Sequence, residues 1–266
     1  MDSHFIAYMY RLRYIERWSL MRNTTRENVA EHSYHVALLA HMLCEIGNHV
    51  FGRSLNADRV VTMALFHDAT EVFTGDIPTP VKHHNPKMLA SFREIESLAA
   101  ERLLGMVPKQ LYSAYAPLIS GQPDAPALNK QSSDAPYYRN HTDAPPLNNH
   151  ADAPALSNHS DAPPAGGHMN SEDSNSNSSS ETATAGYASS INSDNELRKM
   201  LKAADLLDAY IKCLTELSSG NREFAVAKGQ TENKLAKLDM PEVDWFLSHM
   251  APSFSMTLDE LSQEDE

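Results

Sequence analysis

The sequence predicts an all-α fold interrupted by one long low-complexity segment. Three observations carry this reading. Apolar residues recur at helical spacing on both sides of the middle of the chain. Helix-starting and helix-stopping residues sit at the ends of those periodic runs. No stretch alternates apolar and polar residues as a half-buried strand does, and no Asn-Gly hairpin is found.

Taken in order, the first strong helix runs from Val29 to about Gly47. His32, Val36, Leu39, Leu43 and Ile46 are spaced 4, 3, 4 and 3 residues apart, which places them on one helical face. Asn28 is its expected N-cap and Gly47-Asn48 its expected stop. Asn56 caps a second helix that passes through Val60, Ala64, His67 and Glu71 and ends before Gly75, where Pro78 and Pro80 forbid continuation. A third helix is expected from Pro86 or Lys87 to Leu104, and a fourth from Glu196 to Leu217, closed by Gly220.

Between these helical parts, residues 120 to 195 change character. Asp-Ala-Pro recurs at Asp124, Asp134, Asp143, Asp152 and Asp161, and a Ser/Asn tract runs from Ser171 to Ser180. The repeats carry no regular apolar residue for stacking, so neither a solenoid nor a metal-binding repeat is expected. Such a segment cannot bury enough surface to offset the entropy of ordering it, and a disordered surface insertion is expected. Residues 1–119 and 196–266 are then one interrupted domain. The insertion holds nine acidic residues against Lys130 and Arg139, so it carries about half of the net charge of −13 and leaves the folded part only mildly acidic.

Bulk composition excludes several classes. With 266 residues and 41% hydrophobic content the chain can build a core. Its net charge of −13 argues against a nucleic-acid polymer as partner, which needs a basic surface. No run of about 18 apolar residues is present to span a membrane, and the Met1-Asp2-Ser3-His4-Phe5 start lacks a signal-peptide pattern. Cys44 and Cys213 form no disulfide framework. A soluble, cytoplasmic protein is expected.

The chemistry-bearing residues stand where apolar ones would be ordinary. His67-Asp68 ends the run Val60-Val61-Thr62-Met63-Ala64-Leu65-Phe66. His32 heads the apolar face of the earlier helix, and Lys202-Ala203-Ala204-Asp205 sets a carboxylate in a third. Buried charges need partners, and a divalent cation is one such partner for His67-Asp68. His32 can equally be a hydrogen-bonded core residue, and Asp205 a solvated residue or a partner for Lys202. Periodicity does not choose between Asp205 and Asp208. His35, His41, His83 and His84 read as structural or solvated.

The order His, His-Asp, Asp on three helices resembles the HD superfamily of metal-dependent phosphohydrolases, and closer matches resemble the bacterial HD-domain 5′-deoxynucleotidases. They are Ser3-His4-Phe5, Arg17-Trp18-Ser19-Leu20-Met21-Arg22-Asn23, Glu27-Asn28-Val29-Ala30-Glu31-His32-Ser33, His67-Asp68-Ala69-Thr70-Glu71-Val72, Gly75-Asp76-Ile77-Pro78-Thr79-Pro80-Val81-Lys82, Lys202-Ala203-Ala204-Asp205 and Ala251-Pro252-Ser253-Phe254. The resemblance covers nearly all of the chain outside the insertion, which stands where the family has a short connection. A surface loop with nearby ends tolerates that length at modest entropic cost.

The resemblance implies an HD-domain helical bundle and a homodimer. It implies metal ligands His32, His67, Asp68 and Asp205, which as two nitrogen and two oxygen donors suit a divalent transition ion, with cobalt or manganese expected. It implies a nucleoside 5′-monophosphate, preferably a deoxyribonucleotide, lying against Arg17, Trp18, His32, Asp68, Asp76, Ile77, Pro78, Thr79 and Asp205. Glu71 and Arg17 are then catalytic, Glu71 toward the attacking water and Arg17 toward the phosphate. Trp18 packs on the sugar and Asp76 takes its 3′-hydroxyl. Two competing expectations are an HD hydrolase for another nucleotide and a non-catalytic nucleotide sensor. Arg17-Trp18 and the Asp76 loop speak against the first, and Glu71 with a complete ligand set against the second.

Overall fold

The computed structural model describes residues 2–120 and 180–263, with side chains from residue 194 onward in the second stretch. Of the stretch expected to be disordered, 120 to 195, residues 121–179 lie outside the described residues, while residues 180–195 are corrected to the opening of a helix. Among the described residues there is no strand, only an isolated antiparallel bridge between Glu16 and Asn28. In chain order the helices are α1 (Phe5–Met9), α2 (Val29–His49), α3 (Ala57–Phe66), α4 (Glu71–Thr74), α5 (Thr79–Lys82), α6 (Pro86–Leu104), α7 (Tyr112–Ile119), α8 (Ser180–Ser218), α9 (Ala225–Ala236), α10 (Pro241–His249) and α11 (Leu258–Leu261). The fold is all-α, as the periodicity predicts.

Helix α2 begins as read. The Asn28 side chain accepts from the N–H groups of Ala30 and Glu31, and Glu31 returns a bond to the Asn28 N–H, closing a capping box. Its apolar face is buried throughout, from His32 and Val36 to Leu43 and Ile46. The expected stop at Gly47-Asn48 is wrong, because α2 continues to His49. Gly47 is a close-approach residue instead. A Cβ there would lie 2.9 Å from Leu55 Cδ1 and 3.3 Å from Glu242 Oε1. The turn is made later, at Gly52, where φ is +66°.

The second helix is also shorter than expected. It starts at the Asn56 cap but ends at Phe66, before the His67-Asp68 pair. His67 Nδ1 bonds the Ala64 carbonyl at 2.7 Å, and the backbone N–H of His67 takes the same carbonyl at 3.4 Å. That carbonyl is the acceptor an α-helix would offer to Asp68. The chain therefore tightens into turns, with Ala69 N–H on Phe66 O and Glu71 N–H on Asp68 O. Helix α4 follows and stops at Gly75, where φ is +70°. Helix α6 matches its expected bounds. Helix α8 begins at Ser180 rather than Glu196; the added stretch holds Ala183, Ala185 and Ala188, which favour helix.

Two apolar clusters frame the site. One joins α2, α3, α8 and α10 through Val36, Leu43, Val60, Met63, Met200, Leu207 and Phe246. The other joins α1, the turn after α3, α6 and α7 through Phe5, Ala69, Leu103 and Ile119. Cys44 and Cys213 are buried free thiols. No helix among the described residues is long and apolar enough to cross a membrane.

Candidate active site

Three elements bring the expected ligands together: the first turns of α2 supply His32, the turn after α3 supplies His67 and Asp68, and the middle of α8 supplies Asp205. His32 Nε2 lies 3.4 Å from Asp68 Oδ2 and 3.5 Å from Asp205 Oδ1. His67 Nε2 lies 3.1 Å from Asp68 Oδ2. Donors each about 2.0–2.2 Å from one ion stand about 3–3.5 Å apart, so these separations fit a shared cation. Both Nε2 atoms are buried with no hydrogen-bond partner. The ring nitrogens on their far sides are engaged: His67 Nδ1 on the Ala64 carbonyl at 2.7 Å, and His32 Nδ1 on Asp208 Oδ2 at 2.7 Å. In the neutral ring, bonds of that kind put the proton on Nδ1 and the lone pair on Nε2, the arrangement that ligand histidines use. His32, His67 and Asp68 form a compact group able to hold a metal.

The electrostatics agree with this geometry. Burial favours neutral His32, but the carboxylates of Asp205, Asp208 and Asp68 overrule it and raise its pKa well above the ordinary value. Burial likewise works to raise Asp205 and Asp68. The nearby His32 ring and the charge of Lys202 hold Asp205 below the carboxylate range, and His67 with His32 holds Asp68 there. A cradle that attracts a proton so strongly attracts another cation for the same reason. Asp205 is shared, since its Oδ2 also pairs with Lys202 at 2.8 Å.

Glu71 is buried, not a solvated helix-end carboxylate, and its Oε2 has no partner. Burial first, then Asp68 and Asp76, push its carboxyl up to about 9, against Lys82 and Arg17. Asp76 is raised by burial and feels Arg17 and Asp68, as expected of a group facing the same space. Ile77 and Pro78 are partly buried beside it, while Thr79 is exposed and opens α5.

Arg17 and Trp18 stand at the base of a loop closed by the Glu16–Asn28 bridge and by the Arg17 N–H bond to Glu27 O at 2.9 Å. Arg17 Nη1 meets the carboxylates of Glu27 and Asp208, the latter at 3.2 Å. Trp18 adopts φ +57°, a left-handed conformation rare for a bulky residue. Its carbonyl is fixed by Met21 N–H at 2.9 Å and Asn23 Nδ2 at 3.2 Å. Its ring packs on Phe224 with centroids 5.4 Å apart. The tip of the loop is tied to the end of α8 by Glu216, which accepts from Thr24 N, Thr24 Oγ1, Thr25 N and Asn221 Nδ2 and pairs with Lys212.

Several participants escaped the sequence reading. Asp208, left level with Asp205 by periodicity, takes the opposite nitrogen of His32. Glu27 holds Arg17. His35, read as structural or solvated, brings Nδ1 to 3.6 Å from Asp208 Oδ1. The spacing of His32 and His35, three residues apart on one helix, was the available signal for the last.

Comparison with known proteins agrees with the architecture. The profile of a family described as 5′-deoxynucleotidase YfbR-like matches residues 4–133 and 175–254. A 5′-deoxynucleotidase of Yersinia pseudotuberculosis serotype I is 36% identical over 260 residues, spanning 98% of this chain and 97% of its own. A 5′-deoxynucleotidase of Yersinia pestis strain Pestoides F has the same identity and coverage. A solved HD-domain phosphohydrolase from Listeria innocua superposes with a TM-score of 0.60 at 18% identity, over 94% of this chain and 88% of that one, a likeness of fold.

Proposed function

This chain belongs to the YfbR-like 5′-deoxynucleotidase family, and from that premise we propose that it is a metal-dependent hydrolase that converts 2′-deoxyribonucleoside 5′-monophosphates to deoxyribonucleosides and phosphate. The observation that carries the reading is the convergence of two buried, unpartnered imidazole nitrogens, His32 Nε2 and His67 Nε2, on the carboxylates of Asp68 and Asp205.

In this reading His32, His67, Asp68 and Asp205 hold one divalent ion, and the mixed nitrogen and oxygen donors favour cobalt or manganese over magnesium or calcium. The bound ion supplies Lewis acidity, which acidifies water and polarises a phosphate oxygen. Glu71, buried with Oε2 unpartnered, orients the attacking water and takes its proton at Oε2. Water oxygen bonds to phosphorus, and the bond from phosphorus to the 5′-oxygen breaks. That oxygen takes a proton from solvent to become the product hydroxyl, while Glu71 returns its own proton to solvent. Arg17, steadied by Glu27 and Asp208, offers its guanidinium to the equatorial phosphate oxygens. Trp18 lies against the sugar, Asp76 accepts from its 3′-hydroxyl, and Ile77, Pro78 and Thr79 complete the rim. No group in this arrangement must read the base, so several bases are accepted.

The reading extends to a cytoplasmic homodimer in which residues 1–119 and 196–266 form one domain around the 120–195 insertion. The test is phosphate release by chelator-treated protein from dAMP and AMP, with Mn²⁺ or Co²⁺ restored. Metal-dependent release from dAMP with little from AMP is expected. Metal uptake without release from any monophosphate would overturn the reading.

A further inference from the structure

We propose that Asp208 is a positioning residue that fixes the tautomer of His32 and thereby makes His32 Nε2 available to a cation. This rests on the metal-dependent reading above and deepens it. Asp208 is nearly fully buried, on α8 one turn beyond Asp205. Its Oδ2 lies 2.7 Å from His32 Nδ1, and the His32 side chain is wholly buried. A carboxylate only accepts, so in the neutral imidazole that a cation requires this contact places the proton on Nδ1 and leaves Nε2 with its lone pair.

A second neighbour makes Asp208 decisive. Arg17 Nη1 stands 2.6 Å from the same Nδ1. A guanidinium only donates. Alone with His32, Arg17 would draw the lone pair to Nδ1 and put the proton on Nε2, where it occupies the cation's place. Arg17 Nη1 is also 3.2 Å from Asp208 Oδ2 and paired with Glu27. The two carboxylates thus absorb the guanidinium hydrogens that would otherwise reverse the tautomer. Asp205 and Asp208 divide the work: one approaches Nε2 at 3.5 Å, the other holds Nδ1 at 2.7 Å.

Acceptance, not negative charge alone, is the property required, and this separates the role from simple attraction of a cation. In Asp208→Asn the amide oxygen can take the place of Oδ2, accepting from both His32 and Arg17. Its NH₂ then turns toward His35 Nδ1, which stands 3.6 Å from Oδ1 and can accept. Asp208→Ala leaves His32 Nδ1 facing Arg17 alone.

The experiment is calorimetric titration of Mn²⁺ into chelator-treated full-length protein, with thermal melts as a fold control. Loss of an outer partner of a ligand histidine lowers metal affinity about 10–100-fold, and that loss is expected for Asp208→Ala. Asp208→Asn is expected to bind within about threefold of the unsubstituted protein, because its acceptor is retained. Equal losses in the two variants would assign the effect to charge and overturn the proposal, as would unchanged affinity in Asp208→Ala. Should Asp208→Ala not fold, Asp208→Leu supplies the acceptor-free comparison, and a tenfold loss in Asp208→Asn alone overturns the idea. If the unsubstituted protein takes up no Mn²⁺, the metal-dependent reading itself fails. If it binds and Asp208→Ala binds equally well, only the positioning role falls.

Discussion

Replacing Glu216 by Ala tests whether the loop bearing Arg17 and Trp18 is held from its far end. The Glu216 side chain is 1% exposed and pairs with Lys212 Nζ at 2.6 Å, whose own side chain is 6% exposed. It accepts from Thr24 N at 2.9 Å, Thr24 Oγ1 at 2.7 Å, Thr25 N at 3.2 Å and Asn221 Nδ2 at 2.8 Å. Removal strands the Lys212 ammonium with Thr25 O and leaves two loop N–H groups without their acceptor. Breaking one side of a buried pair costs about 3–5 kcal/mol. At about 2–4 °C per kcal/mol for a folded unit of this size, the melting temperature should fall by roughly 6–20 °C. The loop would also lose its grip on the Trp18 turn, so KM for dAMP should rise severalfold well below the melting range. Scanning fluorimetry and steady-state kinetics read both. A fall below about 2 °C with unchanged KM would refute the reasoning, because it would mean that the loop is held without this carboxylate.

Four further outcomes follow from the same structure. Glu71→Gln should lower kcat by about 10²–10⁴, the usual worth of a general base, while Mn²⁺ affinity by calorimetry stays near that of the parent. Mn²⁺ at about 100 times its Kd should stabilise the protein by about 2.7 kcal/mol, a melting shift of about 5–10 °C that His67→Ala should abolish. Gly47→Ala gains at most about 1 kcal/mol of helix propensity, but its Cβ meets Leu55 Cδ1 at 2.9 Å and Glu242 Oε1, which Arg53 holds at 2.6 Å. Overpacking of about 1–3 kcal/mol should win, and urea melts should show a net loss. Burial works to raise Glu216, but its bonds from Lys212, Asn221 and Thr24 prevail and hold it down at about 2. Its folded pKa is the lower one, so its stabilisation is complete above the ordinary Glu value and is lost as pH falls toward 2. Acid melts should lose stability over that window, and Glu216→Gln should flatten it.

The helices themselves were legible because burial imposes a period: His32, Val36, Leu39, Leu43 and Ile46 had to lie on one face, and all of them do. The caps Asn28 and Asn56 were legible because their side chains replace missing backbone partners locally. What could not be read was set by contacts between distant parts of the chain. Gly47 looks like a helix stop until Leu55 and Glu242 are seen to need its missing Cβ. His67 looks like one more helical residue until its ring takes the Ala64 carbonyl and ends α3.

Asp205 and Asp208 show the limit most sharply. Three residues apart on α8, they share a face, so periodicity ranks them equally. Their difference lies in which edge of one imidazole each carboxylate reaches, and that depends on how the first turns of α2 cross α8, with Arg17 wedged beside them. A pattern of residues can declare that carboxylates and imidazoles must be paired. Only their placement decides which carboxylate approaches Nε2 and which one holds Nδ1.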